Sequence, residues 1–170
     1  MIAPIVKEPD PRLHQKALPV QKIGKEIHRL IDTMIETMYA ARGVGLAANQ
    51  IGSGWKILVA SPDGEPGKEL VLINPSIEKR QGKAAVPEGC LSLPGVSAEI
   101  TRAAEVTATG LDRYGKPVTV NATGLLAKIL QHEVDHLEGH LFPDRLGIWK
   151  RRQILQKYGS LAEVIRKVKL

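Results

Sequence analysis

The sequence predicts an α+β fold, with mainly antiparallel sheets packed around a central helix. Two amphipathic helices are indicated by apolar residues that recur every three or four positions. Several short apolar segments lie between them and are separated by turns rich in glycine and proline, which is typical of strands. Because these strands do not alternate one by one with helices, the pattern does not favour a parallel sheet built from βα units.

The first predicted helix follows an extended, proline-rich segment over residues 1–20. Its apolar side chains fall on one face, with acidic and basic residues between them, and we expect it to end at Arg42-Gly43. The apolar positions that define this face are Ile23, Ile27, Leu30, Ile31, Met34, Ile35 and Met38.

A glycine-containing segment over residues 43–50 comes next. It partly matches the Gly-x-Gly-x-x-Ala pattern of dinucleotide-binding turns, but such a turn must follow a strand and open a helix. Here the segment follows a helix and precedes the strand-like residues 56–60. Because glycine allows another backbone to approach closely, we predict instead a strand edge that is open to an extended peptide.

Further strands are predicted in the middle of the chain. Residues 70–73 are strongly apolar, and we expect that strand to end at Asn74-Pro75. Residues 77–81 are predicted to form a separate strand. Residues 105–111 and 117–121 should pair as a hairpin around the turn-forming sequence Asp112-Arg113-Tyr114-Gly115.

The second helix carries the sequence His132-Glu133-Val134-Asp135-His136. We expect it to arise from the stretch 121–130 and to end at Gly139. Two histidines four residues apart project from nearly the same face of a helix, so both imidazoles can reach one metal ion. Glu133 is offset by one residue and is better placed to hold a proton beside the metal than to bind it. The same string can also arise by chance, with both histidines packed or solvated.

The chain after residue 149 is strongly basic. Residues 150–170 hold seven basic residues and one acidic residue, Glu163, and so account for the whole formal net charge of +6. Ser160 is predicted to cap a last helix over residues 161–168. We therefore divide the chain into a single catalytic domain, residues 1–149, and a basic helical tail, residues 150–170. The tail suggests attraction to a polyanion, although a solvated terminal helix is at least as good an interpretation.

The composition is that of a globular protein. Apolar residues make up 43% and charged residues 25% of the 170 positions, enough for one domain with its own core. No apolar run reaches the length that spans a membrane, and the first residues do not resemble a signal peptide. The one cysteine, Cys90, has no partner for an internal disulfide, which favours a reducing cytoplasm.

A catalytic metal usually has three protein ligands and one open position, so a third ligand is needed. In metzincin peptidases a third histidine follows the two others, but Phe142 stands at that position here, and His140 is out of register. Glu163 is the only acidic residue after Asp144 and lies in the basic tail. Cys90 remains, and its thiolate suits zinc or ferrous iron, although it lies far from His132 in the sequence.

Three segments together resemble the motifs of the peptide deformylase family. The segments are Gly43 to Gln50, Glu88 to Ser92 and Gln131 to Gly139, and they occur in the family's order and spacing. Any one of these segments would be weak evidence for the family, but the three together, in the same order, are strong evidence for it. The similarity extends roughly from the first helix to Phe142 and does not cover the tail.

The resemblance implies that Cys90, His132 and His136 bind one divalent metal ion per chain, with water at the fourth position. It implies ferrous iron as the native ion, with zinc, nickel or cobalt able to occupy the site. The implied reaction is removal of the formyl group from the N-terminal formyl-methionine of newly synthesised polypeptides, which releases formate.

The resemblance also implies roles for the residues around the metal. Glu133 would carry the proton, while the side-chain amide of Gln50 and the backbone N–H of Leu91 would stabilise the negative oxygen of the intermediate. We expect Glu88 to pair with Arg102 and, together with Gln131, to support the site. Lys128 adjoins the pocket wall, where the family often has an apolar residue. The residues implied to contact the substrate are Val44, Gly45, Val86, Gly89, Leu125 and Ile129.

The expected partners are N-formylmethionyl peptides and nascent chains in a bacterial cytoplasm. The basic tail suggests contact with the ribosome, and we expect neither a membrane nor a DNA partner. Two alternatives remain at this point. One is a related metal-dependent amidase or peptidase that acts on another acyl group, and the other is a non-enzymatic binding module held together by a Cys/His metal site.

Overall fold

A computed structural model describes residues 1–168 of the chain. Within that range the chain forms three α-helices and seven β-strands, together with three 3-10 helices at Pro11–His14, Ala48–Ile51 and Phe142–Arg145. The helices and strands, in chain order, are α1 (Lys25–Ala40), β1 (Gly45–Ala47), β2 (Ile57–Ala60), β3 (Leu70–Gln81), β4 (Ala84–Cys90), β5 (Leu93–Arg102), β6 (Glu105–Leu111), β7 (Pro117–Thr123), α2 (Gly124–Leu137) and α3 (Ile148–Val168).

The strands form one five-stranded sheet and one separate hairpin. The sheet has the order β1-β2-β3-β6-β7, and every neighbouring pair in it is antiparallel. The hairpin consists of β4 and β5, which are also antiparallel. The predicted α+β class with antiparallel pairing is therefore confirmed. The short strand β1 lies at one edge of the sheet, so its outer side is not paired with another strand of residues 1–168.

The helix α1 has the predicted apolar face. Ile27, Ile31, Met34 and Met38 are buried on it and pack with the buried side chains of β1, β2 and the first part of β3. The helix begins at Lys25 and ends at Ala40, within two residues of the predicted bounds. This cluster fixes the position of the segment that follows α1, which carries the first of the three motifs.

The strand β3 is longer than predicted, because Asn74-Pro75 does not end it. Asn74 has a φ of 54°, and its side-chain amide exchanges two hydrogen bonds with the backbone of Val20. The pairing with β6 shifts in register between Ile73 and Ser76. The turn-forming residues are thus accommodated as an irregularity within one strand, which continues to Gln81.

The hairpin of β4 and β5 has no counterpart in the sequence prediction. Its strands contain Pro87, Gly89, Pro94 and Gly95, residues that ordinarily count against a strand. β4 pairs with β5 only, and proline is tolerated on such an edge strand because its missing N–H leaves no ladder bond unmade. Cys90 is the last residue of β4, so this hairpin carries the cysteine to the site.

The helix α2 runs through the interior. It begins at Gly124, because residues 121–123 extend β7 instead of starting the helix. Nine of its fourteen residues are buried, including Gln131, Glu133, Asp135 and His136. The chain turns away at Gly139, whose φ of 84° requires glycine and where a Cβ would lie 2.7 Å from the His14 carbonyl oxygen. The predicted end of the helix is therefore confirmed to within two residues.

The helix α3 corrects the sequence prediction for the tail. It is continuous from Ile148 to Val168, so Ser160 lies inside it and does not cap a new helix; its hydroxyl donates to the Gln156 carbonyl instead. Tyr158 is buried in a cluster of apolar side chains that includes Leu13, Leu93 and Val96. Its hydroxyl donates a hydrogen bond to the Glu8 carbonyl oxygen at 2.8 Å. The boundary proposed between residues 149 and 150 falls within α3, and the division into two parts stays a prediction. Residues 169 and 170 of the predicted tail lie outside the described range.

Within residues 1–168, no helix combines the length and the apolar character needed to cross a membrane.

Candidate metal centre

Cys90, His132 and His136 come together beside α2. The two histidines lie one helical turn apart, and the end of β4 places the cysteine opposite them. One ligand atom from each residue lies within 4.8 Å of the other two. Cys90 Sγ is 3.2 Å from His136 Nε2, which in turn is 3.1 Å from His132 Nε2. Separations of this size fit three ligands around one ion bound at about 2.0–2.3 Å.

The ring of His132 is oriented by a carboxylate. Its Nδ1 lies 2.7 Å from Glu88 Oε1, which leaves Nε2 facing the cluster. A histidine held in this way presents a defined nitrogen to a metal. The Nδ1 of His136 is buried and has no hydrogen-bond partner among residues 1–168, whereas its backbone carbonyl accepts a hydrogen bond from the side chain of Asn49.

Glu88 belongs to a buried network of charges behind the cluster. Arg102 contacts it through two nitrogens, one of them at 2.9 Å, and also donates to Asp135 at 2.9 Å. Arg145 contacts the same aspartate from the protein surface. Burial alone would raise the pKa of Glu88, but the hydrogen bonds from Arg102 and His132 outweigh it and hold that pKa at about 2. The carboxylate that orients His132 is thus ionised at neutral pH.

Glu133 lies in a different environment. Its side chain is buried, one of its oxygens has no hydrogen-bond partner within the described residues, and burial raises its pKa to about 7. A cation bound by the neighbouring histidines would favour its charged form. A carboxyl group that has a free oxygen and titrates near neutrality is suited to accept and return a proton.

Gln50 lies beside the cysteine, in the 3-10 helix Ala48–Ile51. Its side-chain oxygen accepts a hydrogen bond from the Ala47 N–H, which leaves its NH2 group pointing at the cysteine loop. That group lies 3.2 Å from Ser92 Oγ and 3.6 Å from Cys90 Sγ. The amide is therefore held as a donor at the edge of the metal cluster.

A cavity of about 350 Å³ opens next to these residues. Its wall includes Gln50, Cys90, Leu91, His132 and Glu133, so it reaches the cluster directly. Of the residues implied to contact the substrate, five line it: Val44, Gly45, Gly89, Leu125 and Ile129. Val86 is not among its lining residues in the described part of the chain, because it lies further back on β4, opposite Ile100.

Residues around the metal cluster hold its helix and its loops in place. Gln131 exchanges two hydrogen bonds with the backbone of Ala103 and so ties α2 to the connection between β5 and β6. Sequence reasoning assigned no role to Asn49 or Ser92, which contact His136 and Gln50, although both lie within the recognised motif segments. It also missed cavity-lining residues outside or at the margins of the motifs, namely Arg42, Gly95 and Val96.

The fold and the site together define a metal-dependent hydrolase: a Cys/His/His cluster lies beside the glutamate of an HExxH helix, at the end of a cavity bordered by two strand edges. Comparison with known proteins identifies the family within this class. The family model for polypeptide deformylase matches residues 2–152, and the chain belongs to that family.

Relatives support the assignment over nearly the whole length. The peptide deformylase of Alkalilimnicola ehrlichii is 45% identical over 161 residues, which is 94% of this chain and 90% of that protein. The one from Nitrosococcus oceani is 48% identical over 153 residues, 90% of this chain and 92% of that protein. The crystal structure of a Legionella pneumophila peptide deformylase matches with a TM-score of 0.93 and 41% identity, covering 98% of both chains. The chain is therefore an enzyme that removes the N-terminal formyl group from newly synthesised polypeptides.

Proposed function

We propose that Cys90, His132 and His136 hold one divalent ion, and that the formyl group is hydrolysed at this position. The proposal is supported above all by the convergence of the three ligand atoms within 4.8 Å of one another. Ferrous iron is the native ion in this proposal, as the family resemblance implies, although a thiolate with two imidazoles also suits zinc. When bound, such an ion lowers the pKa of water and polarises a carbonyl oxygen.

Glu133 is the proton carrier. It takes the proton from the attacking water and returns it to the nitrogen that leaves as a free amine, while the formyl carbon departs as formate. Its buried position, its unpaired oxygen and its raised pKa support this role. Gln50, through its NH2 group, and Leu91, through its backbone N–H, donate to the oxygen that becomes negative during the reaction.

The cavity takes the methionine side chain. Its apolar lining includes Leu125 and Ile129 on α2 as well as Val44, and such a lining suits a thioether chain. The peptide backbone lies between Gly45 on β1 and Gly89 on β4, two edge strands whose glycines line the same cavity. An extended substrate can add to such edges by backbone hydrogen bonds.

Formate release from formyl-Met-Ala, measured beside metal content, tests these roles. The enzyme purified without oxygen and loaded with ferrous iron should release formate. Glu133→Gln should keep its metal and lose about 10²–10⁴ in turnover, since it retains shape but not basicity. Cys90→Ser should lose both metal and activity. An intact formyl-Met-Ala in the wild-type assay, or full activity in Glu133→Gln, would contradict the proposal.

We also propose that α3 contacts ribosomal RNA through its exposed basic side chains, in a bacterial cytoplasm where formyl-methionine starts occur. This rests on charge: Lys150, Arg151, Arg152, Lys157, Arg166 and Lys167 are all exposed on one helix that carries a single acidic residue. Binding of this kind weakens steeply with salt.

Charge reversal tests the ribosome contact better than deletion, because deletion would remove the buried Tyr158 as well. Replacing Lys150, Arg152 and Lys157 by glutamate should abolish co-sedimentation with bacterial ribosomes at low salt. The matched control reverses Lys22, Lys25 and Arg29, three exposed cations at and before α1. Equal loss in both variants would show a non-specific charge effect, and unchanged binding in the α3 variant would refute the contact.

A further inference from the structure

Lys128 places a positive charge on the wall of the cavity. It lies on α2 about one turn before His132 and shares its helix face with Leu125 and Ile129, all of which line the cavity. Its ammonium group reaches across to β4 and donates a hydrogen bond to the Pro87 carbonyl oxygen at 2.5 Å. A lysine side chain thus spans the space between α2 and β4, beside the apolar residues Leu125 and Ile129 of the cavity wall.

The charge of Lys128 is not neutralised by a carboxylate. Within residues 1–168 it takes part in no ion pair, and the Pro87 carbonyl is the one hydrogen-bond acceptor found for it. An ammonium group has three N–H donors, so two stay available for a molecule that enters the cavity. The carboxylate of Glu133 also borders the cavity, but it lies against Gly45 and forms no ion pair with Lys128 in the described part of the chain.

An unmodified methionine makes little use of these donors, because a thioether sulfur is a weak acceptor. Oxidation converts the side chain to a sulfoxide, whose oxygen is a strong acceptor. In a wholly apolar pocket that oxygen would lose its water without gaining a partner, which costs binding energy. A lysine on a flexible four-carbon stem can swing from a backbone carbonyl to such an oxygen.

We propose that Lys128 determines specificity at this pocket, and that it enables the enzyme to deformylate peptides whose first residue is methionine sulfoxide. The inference rests on the proposed function, because it takes the cavity as the place of the first side chain. No bond to sulfur changes in the reaction. Lys128 acts only by offering N–H donors to the sulfoxide oxygen, while the formyl group is hydrolysed as in the unmodified substrate.

Three substrates that differ only at the first side chain test the proposal. They are formyl-Met-Ala-Ser, its methionine sulfoxide form and its norleucine form, and the quantity compared is kcat/KM. In Lys128→Met, the ratio of the sulfoxide to the norleucine peptide should fall about tenfold relative to wild type, since a hydrogen bond to a charged group is lost. Norleucine itself should be hydrolysed as well as before or better. Lys128→Gln keeps a donor without the charge. Its sulfoxide-to-norleucine ratio should therefore lie between that of the wild type and that of Lys128→Met.

A control variant separates an effect at the cavity from a general effect of removing a positive charge. Lys116→Met removes an exposed charge at the turn between β6 and β7, at a residue that does not line the cavity, and should leave all three kcat/KM values unchanged. An unchanged sulfoxide-to-norleucine ratio in Lys128→Met, or an equal change for all three substrates, would overturn the proposal. If Lys128→Met fails to fold, the ratio in Lys128→Gln decides. Wild-type enzyme that leaves formyl-Met-Ala-Ser intact would instead overturn the proposed function.

Discussion

Gly45 shows how closely the peptide-binding edge and the proton carrier are packed. A Cβ at this residue would lie 2.6 Å from Glu133 Oε1 and 2.7 Å from Ile129 Cγ2. Both distances are too short for any real contact, so either the Glu133 and Ile129 side chains would have to shift, or the strand and the helix would have to move apart. The absence of a side chain at residue 45 is therefore what allows β1 to lie directly against α2 at the site.

We predict that Gly45→Ala lowers kcat/KM for formyl-Met-Ala by about 10²-fold, because a displacement of about 1 Å at a reacting centre has that effect. Gly54→Ala is the matched control: its Cβ would meet nothing within 4 Å, and we expect full activity. Steady-state kinetics and metal content measured on both variants check the prediction. Wild-type rates in Gly45→Ala would mean that the edge of β1 is not part of the reacting site.

The residues of the site were foreseeable where a motif carries them. The spacing of His132 and His136 alone places two imidazoles on one helix face. Exclusion of the other candidate ligands, together with the motif resemblance, suggested Cys90 as the third ligand. Sequence reasoning could not bring Cys90 to them, because that depends on a hairpin whose strands it did not detect. It also could not find Lys128's contact with Pro87 or the position of Ser92 beside Gln50, since both arise from packing between distant segments.

At the scale of elements, α2 and the β4–β5 hairpin are joined by buried charges. Arg102 on β5 lies between Glu88 on β4 and Asp135 on α2, and all three side chains are almost fully buried. Such a network adds little stability over an apolar replacement of the whole set, but loss of one member leaves the others uncompensated. The network holds β4, which carries Cys90, in a fixed position relative to α2, which carries the two histidines.

We predict that Arg102→Met lowers the free energy of unfolding by about 3–5 kcal/mol, because Glu88 and Asp135 would remain buried without their partner. The control is Arg113→Met, which breaks a partly exposed pair with Asp32 and should cost no more than about 1 kcal/mol. Urea unfolding at fixed metal concentration measures both values. Similar losses in the two variants would show that the buried network does not join these elements.

A second junction links α1 to the loop before β3. The Tyr39 hydroxyl lies 3.0 Å from Ser61 Oγ and 2.8 Å from a Glu69 carboxylate oxygen, which also accepts the Gly67 N–H. Burial alone would raise the pKa of Glu69, but the hydrogen bonds from Gly67 and Tyr39 outweigh it and lower that pKa. The ionised carboxylate thus stabilises the folded state.

The sign of this pH dependence follows from linkage. A carboxylate whose pKa is lowered by folding contributes its stability above the unfolded value, about 4.3, and loses it as the pH falls through the folded pKa. We therefore expect the difference in unfolding free energy between wild type and Glu69→Gln to be largest near neutral pH and to shrink below about pH 4. Urea unfolding over a pH series measures it. A difference that grows on acidification would contradict the assignment.

The elements themselves were predictable to different degrees. Amphipathic periodicity located α1 and α2, and turn residues located the hairpin of β6 and β7. The prediction ended β3 too early because Asn74-Pro75 has turn chemistry, which the structure absorbs as an irregularity. It began the last helix at Ser160, because serine is a good cap by residue type, whereas the observed helix already begins at Ile148 and packs through Tyr158 on the body of the protein.

At the scale of the whole molecule, α3 completes a cluster that the rest of the chain leaves open. Tyr158, Ile154 and Leu155 pack with residues from the N-terminal segment and from β5. The phenol ring is 8% exposed, and its hydroxyl donates to the Glu8 carbonyl. The basic helix therefore belongs to the core on one face while its cations face outward.

We predict that Tyr158→Ala lowers the free energy of unfolding by about 3 kcal/mol, as expected for truncation of a buried aromatic side chain. Tyr158→Phe should lose about 1 kcal/mol, which isolates the hydrogen bond to Glu8. Tyr114→Ala serves as the control, since that side chain is 80% exposed and its removal should change little. Thermal and urea unfolding measure the three variants. No loss in Tyr158→Ala would mean that α3 is not part of the cooperative fold.

The hydrogen bond between Tyr158 and Glu8 joins residues 150 positions apart. During translation, α3 is made after every residue that it covers, so Leu13, Leu93 and Val96 stay uncovered on one side until it leaves the exit tunnel. Contacts of such long sequence separation also form late in folding, because a large loop must close first. The β4–β5 hairpin that carries Cys90 rests on this same cluster, so a newly made copy of the enzyme acquires its final active-site wall only after α3 has been synthesised and has folded onto it.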